Sequence, residues 1–203
     1  MATLYLVRHG QTRLNIDKRY IGLTDLELTD LGIRQAYAVG KEIKSLPINI
    51  SRIYTSPMKR AVQTAAEIKK SLTDLDVIEI ADLAEVDFGL WEGMLSTEAE
   101  ERYPELYKQL RETPLETCFP KGGSLLEIRN RALASVKGLA AENPEDEFII
   151  VSHGGPIRMV IAEVMGLKNE YIWSFEIKHG SISKVVFEDN FSYVSYLNCI
   201  PKI

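Results

Sequence analysis

The chain has 203 residues, enough for one generous domain or two very small ones. Hydrophobic residues make up 45% and charged residues 26%, the balance of a globular enzyme-sized domain, and the formal net charge is −5 with no long run of one sign. This distribution argues against a nucleic-acid or membrane surface, either of which would favour a basic stripe, and no segment approaches the length of a membrane span. Cys118 and Cys199 are the only cysteines and have no C-x-x-C spacing, so they form neither a metal site nor a disulfide framework. With no basic-then-apolar leader at the N-terminus, the expectation is a cytoplasmic protein.

Leu4-Tyr5-Leu6-Val7 reads as a buried strand that opens at once into Arg8-His9-Gly10. Gln11 to Asp25 lacks periodicity and is expected to be a loop. It carries Asn15, Arg19, Tyr20 and Gly22, a mixture suited to anion contact, although Lys18 and Arg19 themselves are read as solvated. Thr29 is a plausible N-cap for a helix to about Leu46, with Leu31, Gln35, Val39 and Ile43 at helical spacing, and Pro47 ends it. Arg52 to Thr55 is the next strand. Ser56-Pro57 is expected to open a second helix, Ser as N-cap and Pro at the first helical position, with Met58, Ala61, Val62, Ala65 and Ile68 as its apolar face. Arg60 then falls in a first turn whose free amides and dipole favour an anion, so a cation there is misplaced if only structural.

Val77 to Ile80 is a third strand. Beyond it, Leu83 to Gly93 reads as an ordered loop in which Glu85, Asp87 and Glu92 compete as functional acids, and composition does not choose between them. Ser96 to Glu112 has helical composition interrupted near Pro104, and Pro114 to Gly123 is irregular. Ser124 and Glu127 form a capping box before Leu125, Ile128, Ala132, Val136 and Leu139 on one helical face. Glu147 to Ser152 is a strand that runs into His153-Gly154-Gly155, followed by a helix from Pro156 to Val164. His179 reads as a surface histidine. Ser181 to Phe187 and Phe191 to Leu197 alternate around Glu188-Asp189-Asn190, a terminal hairpin whose Phe187, Tyr193 and Tyr196 are read as core.

Two of the three histidines therefore stand in the same strand–His–Gly setting. Together with Arg8-His9-Gly10, the block Ser56-Pro57-Met58-Lys59-Arg60-Ala61-Val62-Gln63-Thr64-Ala65 and the stretch Glu85-Val86-Asp87-Phe88-Gly89-Leu90-Trp91-Glu92-Gly93 give the chain its resemblance: it is similar to the histidine phosphatase superfamily, the phosphoglycerate-mutase-like fold. Gly22-Leu23-Thr24-Asp25 through Leu28-Thr29 and Gly32 resembles the same family. The resemblance implies one α/β domain, a mostly parallel central sheet with helices on both faces, a C-terminal edge hairpin and a cap-like insertion around residues 96–123. It departs from the family at Gly123, where a Glu is usual.

The roles implied are equally specific. His9 is the nucleophile, Glu85 the proton donor, and Arg8, Arg60 and His153 surround the phosphoryl group. Gln11, Asn15, Gly22 and Gly154 are implied at the substrate, and Glu92 is left as a carboxylate that holds its loop. Asp87 has no assigned role. No metal and no cofactor are expected; a metal-hydrolase reading would place Arg8 and Arg60 beside a cation.

The chemistry suits these residue types. Phosphomonoester cleavage asks for a barrier reduction of roughly 20 kcal/mol or more, most of it from positioning and positive charge. Arginine forks match phosphate oxygens. His9 must be neutral to attack, with its second ring nitrogen held by an acceptor such as the carbonyl near Gly10. Glu85 must protonate the leaving alkoxide and then activate water. The expected activity is a metal-independent phosphatase acting on a small phosphorylated metabolite, α-ribazole 5′-phosphate of cobalamin synthesis being the candidate, by a monomer or homodimer. The alternatives are a cofactor-dependent phosphoglycerate mutase and a non-catalytic phosphate-binding module.

Overall fold

Side chains alternate along β1 (Ala2–Arg8), sending Leu4 and Leu6 to one side of the sheet and Tyr5 and Val7 to the other. Both faces of the strand are thus buried, the situation that helices packed on two sides of a sheet require. The computed structural model describes residues 1–189 and 191–203. After β1 come β2 (Ile50–Thr55), β3 (Val77–Glu79), β4 (Glu147–Ser152), β5 (Ile182–Phe187) and β6 (Ser192–Cys199). They form one sheet in the order β3-β2-β4-β1-β5-β6. The first four in that order are mutually parallel, while β5 and β6 add antiparallel at the edge. The expected edge hairpin is present; Asn190 of its connection lies outside the described residues. Of its three aromatics, Phe187 and Tyr196 pack on the core, but Tyr193, on the edge strand β6, is exposed.

The helices are α1 (Arg13–Ile16), α2 (Asp30–Ser45), α3 (Lys59–Leu72), α4 (Ser96–Arg102), α5 (Pro104–Glu112), α6 (Leu125–Glu142) and α7 (Gly154–Val164). Val39 and Ile43 of α2 and Ala61, Ala65 and Ile68 of α3 pack on Tyr5, Val7 and Ile149. On the opposite face, Ala132 and Val136 of α6 and Ile157 and Val160 of α7 pack on Leu4, Leu6 and Phe148. Three layers result. A third cluster, around the fully buried Trp91, joins α4 and α5 to Val86, Phe119, Leu125 and Met159 and so fastens the segment between β3 and α6 beside the sheet's C-terminal end.

Thr29 caps α2 as expected, its hydroxyl accepting from Gly32 N at 3.1 Å, and Ser124 caps α6 by accepting from Glu127 N at 3.1 Å. Two local expectations change. The loop after β1 contains a single helical turn, α1, closed by Asn15 Oδ1, which accepts from Thr12 N. The second helix begins at Lys59 rather than directly after Ser56, with Met58 as its N-cap. The Ser56 hydroxyl accepts from Met58 N within the turn, and the free amide of Lys59 is satisfied by Asp25 Oδ1 at 2.8 Å. A carboxylate from a distant loop thus supplies the capping that local sequence appeared to assign to Ser56.

Candidate active site

Parallel pairing of β1 and β4 sets Arg8 opposite Ser152, so the residues that follow, His9 and His153, leave the sheet side by side. His9 N donates to Ser152 O at 3.0 Å, and Ser56 N at the end of β2 donates to Val151 O at 2.9 Å. Three strand ends therefore deliver His9, His153 and Ser56 to one point. The strands leave there toward opposite faces, α2 following β1 on one and α7 following β4 on the other, which opens a crevice between them.

His9 is 3% exposed, and its Nδ1 lies 2.7 Å from Gly10 O. A carbonyl only accepts, so Nδ1 carries the ring proton and Nε2 keeps a free lone pair. Burial, reinforced by His153, Arg60, Arg8 and His179, holds the imidazole well below the usual histidine range, so the ring is neutral at pH 7. Gly10 is required by close approach: a Cβ there would stand 2.4 Å from Gly32 O. Its amide donates to Thr64 Oγ1 at 3.0 Å, which ties the turn below His9 to α3.

Arg60 is fully buried, and its guanidinium is spread over three acceptors. Nη2 donates to Gly22 O at 2.7 Å, Nη1 to Thr24 O at 2.9 Å and Nε to His153 Nδ1 at 3.2 Å. Because arginine only donates, His153 Nδ1 is unprotonated, and Nε2 carries the proton toward Ser56 Oγ at 2.8 Å. Burial and then Arg60 and Arg8 keep His153 well below the usual histidine range. The first-turn position of Arg60 is thus not a solvated surface site; its side chain leaves the helix for the strand ends. The loop it grips is held from the other side by Glu92, which accepts from Gly22 N, Leu23 N, Thr24 Oγ1 and Phe88 N at 2.7–3.3 Å. Glu92 has the loop-holding part expected of it. Asp87, which had no assignment, accepts from Gly89 N at 2.8 Å and shapes the same turn.

Glu85 is 8% exposed, and each of its oxygens accepts one backbone amide, Oε1 from Val86 N and Oε2 from Gly155 N, both at 3.0 Å. A Cβ at Gly155 would lie 2.2 Å from Oε1, so only glycine lets the β4–α7 turn meet the carboxylate this closely. Behind it, Arg131 donates to Asp82 O at 2.6 Å and to Glu85 O at 2.9 Å. Arg8 donates through Nη1 to Ile177 O, and its buried Nε has no partner among the described residues. Burial brings the Arg8 guanidinium down to about 10, with the attraction of Glu85 opposing.

Arg8, His9, Asn15, Glu85 and Gly154 line one cavity of about 490 Å³. Arg60, His153 and Gly22 are buried and do not line it. Gln11 does not line it either; its Oε1 accepts from Thr29 Oγ1 at 3.1 Å. Asn15 lines the cavity and spends its side-chain oxygen on Thr12, so the donor its side chain has left to offer is the Nδ2 amide. Two expectations are corrected. Lys18 is exposed as anticipated, but Arg19 lies on the cavity wall, held by Gly93 O at 2.7 Å. His179 is not a surface residue: its ring lies edge-on to His9 at 5.4 Å, its Nε2 is buried without a partner among the described residues, and burial followed by Arg8 and Arg60 pushes it down to about 3. The turn before β5 folds back onto the end of β1, as Gly180 N donates to Arg8 O, and no local pattern signals that. Arg158 was also missed. It follows Gly154 by four residues on α7, a spacing that puts both on one face. Among the described residues no cluster of three or more His, Cys, Asp or Glu could hold a metal ion.

A family model described as the histidine phosphatase superfamily (branch 1) matches residues 4–200. Phosphoserine phosphatase 1 of Hydrogenobacter thermophilus is 32% identical over 198 residues, 98% of this chain and 92% of that protein. Among solved structures, the α-ribazole phosphatase of Shigella flexneri superposes with a TM-score of 0.84 at 26% identity, covering 98% of this chain and 97% of that one. A mutant phosphoserine phosphatase of Entamoeba histolytica in complex with phosphoserine has a TM-score of 0.85 at 28% identity, covering 98% of both chains.

Proposed function

Because the chain belongs to the histidine phosphatase superfamily (branch 1), we propose that it hydrolyses a small phosphomonoester through a phosphohistidine formed on His9, without a metal ion. The observation that carries this reading is the state of His9. It is a buried, neutral ring with its proton held by Gly10 O, on the wall of a cavity shared with Arg8 and Glu85. Its free Nε2 lone pair is the nucleophile. Attack on phosphorus breaks the ester bond, and Glu85 gives its proton to the departing alcohol oxygen. The same carboxylate then takes a proton from water, whose oxygen attacks the phosphohistidine and frees both His9 and phosphate.

Arg8 and the amide of Asn15 are the groups on the wall that bind phosphoryl oxygens, and Gly154 packs against the Arg8 guanidinium. Arg60 and His153 bond to each other in the unliganded arrangement, and a phosphoryl group that touches either would replace that bond. Guanidinium groups this close to both histidines disfavour a cation, so EDTA should leave turnover unchanged. The short stretch from Glu85 to His153 favours hydrolysis over transfer to a sugar acid. α-Ribazole 5′-phosphate is the named candidate substrate, supported by the likeness to the Shigella flexneri enzyme.

The test is to quench the protein in alkali during turnover of a radiolabelled phosphomonoester. The expected result is an alkali-stable, acid-labile label on His9, lost in His9→Ala together with at least about a thousandfold of activity. Conversion of 3- to 2-phosphoglycerate with little free phosphate would make the protein a mutase. Neither label nor turnover would leave a phosphate-binding module.

A further inference from the structure

Ser56 is a residue whose local role has gone elsewhere. It is fully buried after β2, but α3 begins only at Lys59, whose amide is capped by Asp25. Of the two bonds made by its hydroxyl oxygen, the one from Met58 N is long, 3.3 Å, while the contact with His153 Nε2 is 2.8 Å. A hydroxyl taken out of water needs a partner, and His153 is the better one it finds.

His153 is fully buried as well, and both of its ring nitrogens are claimed. Nδ1 accepts from Arg60 Nε at 3.2 Å, so the single proton of the neutral ring lies on Nε2 and is given to Ser56. Such a ring has no proton to offer a phosphoryl oxygen. The charged groups that act on it are Arg60 from α3, Arg8 from the end of β1 and Arg131 from α6, and the neutral His9 ring lies 5.1 Å away. On the turn that carries His153, Gly155 N is bonded to the Glu85 carboxylate. Burial and then those guanidinium groups keep the ring neutral at rest. A phosphoryl group on His9 brings about two negative charges into this region and reverses the balance.

Resting on the phosphatase reading above, we propose that Ser56 is a positioning residue for His153: by holding the Nε2 proton it leaves Nδ1 as the nitrogen that meets the phosphoryl group, so that binding takes up a proton there. The phosphoryl group displaces Arg60 Nε from Nδ1, and a proton from solvent adds to the freed lone pair. Nδ1–H and Arg60 Nε–H then both donate to phosphoryl oxygens, an imidazolium facing a dianion. The proton returns to solvent when phosphate leaves. Without the Ser56 hydroxyl the ring has another course: it stays neutral, carries its only proton on Nδ1 and leaves a bare Nε2 lone pair against an apolar side chain.

The experiment titrates inorganic phosphate calorimetrically at about pH 8 in buffers of different ionisation enthalpy, with Glu85→Gln as the parent so that this carboxylate contributes no proton. The expected result is uptake of about one proton per phosphate bound, falling close to zero when Ser56→Ala is added and retained in Ser56→Thr, which keeps a hydroxyl. The parent's affinity for phosphate should also fall about tenfold per pH unit on the alkaline side, and that of the Ser56→Ala variant much less. Ring-nitrogen NMR shifts of the unsubstituted protein read the same event without a change at Ser56: His153 protonated on Nε2 alone when free, and on both nitrogens with phosphate. Binding without uptake would mean that the Ser56 hydroxyl turns round to donate to Nε2, and it overturns the inference. Uptake that Ser56→Ala leaves unchanged overturns it too, as does a failure to bind phosphate. Absence of turnover and of label on His9 would defeat the phosphatase reading, yet uptake that depends on Ser56 would still support this one.

Discussion

Glu92 accepts two consecutive backbone amides, a hydroxyl and a third amide from across the loop, and the carbonyls of that loop are the acceptors for Arg60. Truncation would strip the donors of their partner at half-buried positions, where an unmade hydrogen bond costs about 1–3 kcal/mol. Glu92→Ala should therefore destabilise the fold by roughly that amount in urea denaturation, and lower kcat/KM as the anchor of Arg60 loosens. Glu92→Gln retains one acceptor oxygen and should lose less of both. Equal stability of the alanine variant would show that water replaces the carboxylate. Composition alone could not separate Glu92 from Glu85 or Asp87, because all three are acids in one turn-rich stretch. What separates them is which backbone amides each one meets, and those amides come from residues up to 70 positions away in sequence.

At the scale of elements, the segment from Asp82 to Glu85 is clasped between α6 and the end of β4. Arg131 holds the carbonyls of Asp82 and Glu85 from α6, and Ser152 Oγ donates to Leu83 O at 2.7 Å from β4. Arg131 is thus a positioning residue for the proposed proton donor. Arg131→Met should lower kcat on alkyl phosphates by about tenfold to a hundredfold, the range that a misplaced catalytic group produces. With p-nitrophenyl phosphate, whose leaving group departs without a proton, the loss should be much smaller. Equal losses on the two classes would assign Arg131 a purely structural part. The periodicities of α2, α6 and β4 were legible because each element carries its own apolar face and stop signals. The true start of α3 was not, because its first free amide is capped by Asp25, which lies 34 residues earlier.

For the molecule as a whole, the three histidines converge on one buried, cationic region, and each is held below the usual histidine value of 6.5. The unfolded chain therefore binds more protons than the folded one once the pH drops below about 6.5. The stability that the neutral rings contribute is fully present above that pH and is lost as the pH falls toward their folded-state values, by at most about 1.4 kcal/mol per histidine per pH unit. Urea denaturation at pH 7.5, 6.5 and 5.5 should show stability falling on the acid side, and His179→Gln should reduce that slope by about a third. A flat profile between pH 7 and 5 would mean that the histidines are hydrated and titrate normally.

By itself, the sequence determined that strands end at His9 and His153 and that helices follow them, properties of short stretches set by periodicity, capping and turn chemistry. That Arg8, Arg60 and Glu85 belong beside the two histidines was implied by the resemblance to the family. Only the tertiary structure decided that Arg60 and His153 are buried and bonded to each other, that Arg19 faces the cavity, and that His179 is drawn in from the far end of the chain to lie against His9. Each of those outcomes depends on side chains that meet across long separations in sequence, where burial and the need to satisfy every buried donor outweigh local preference.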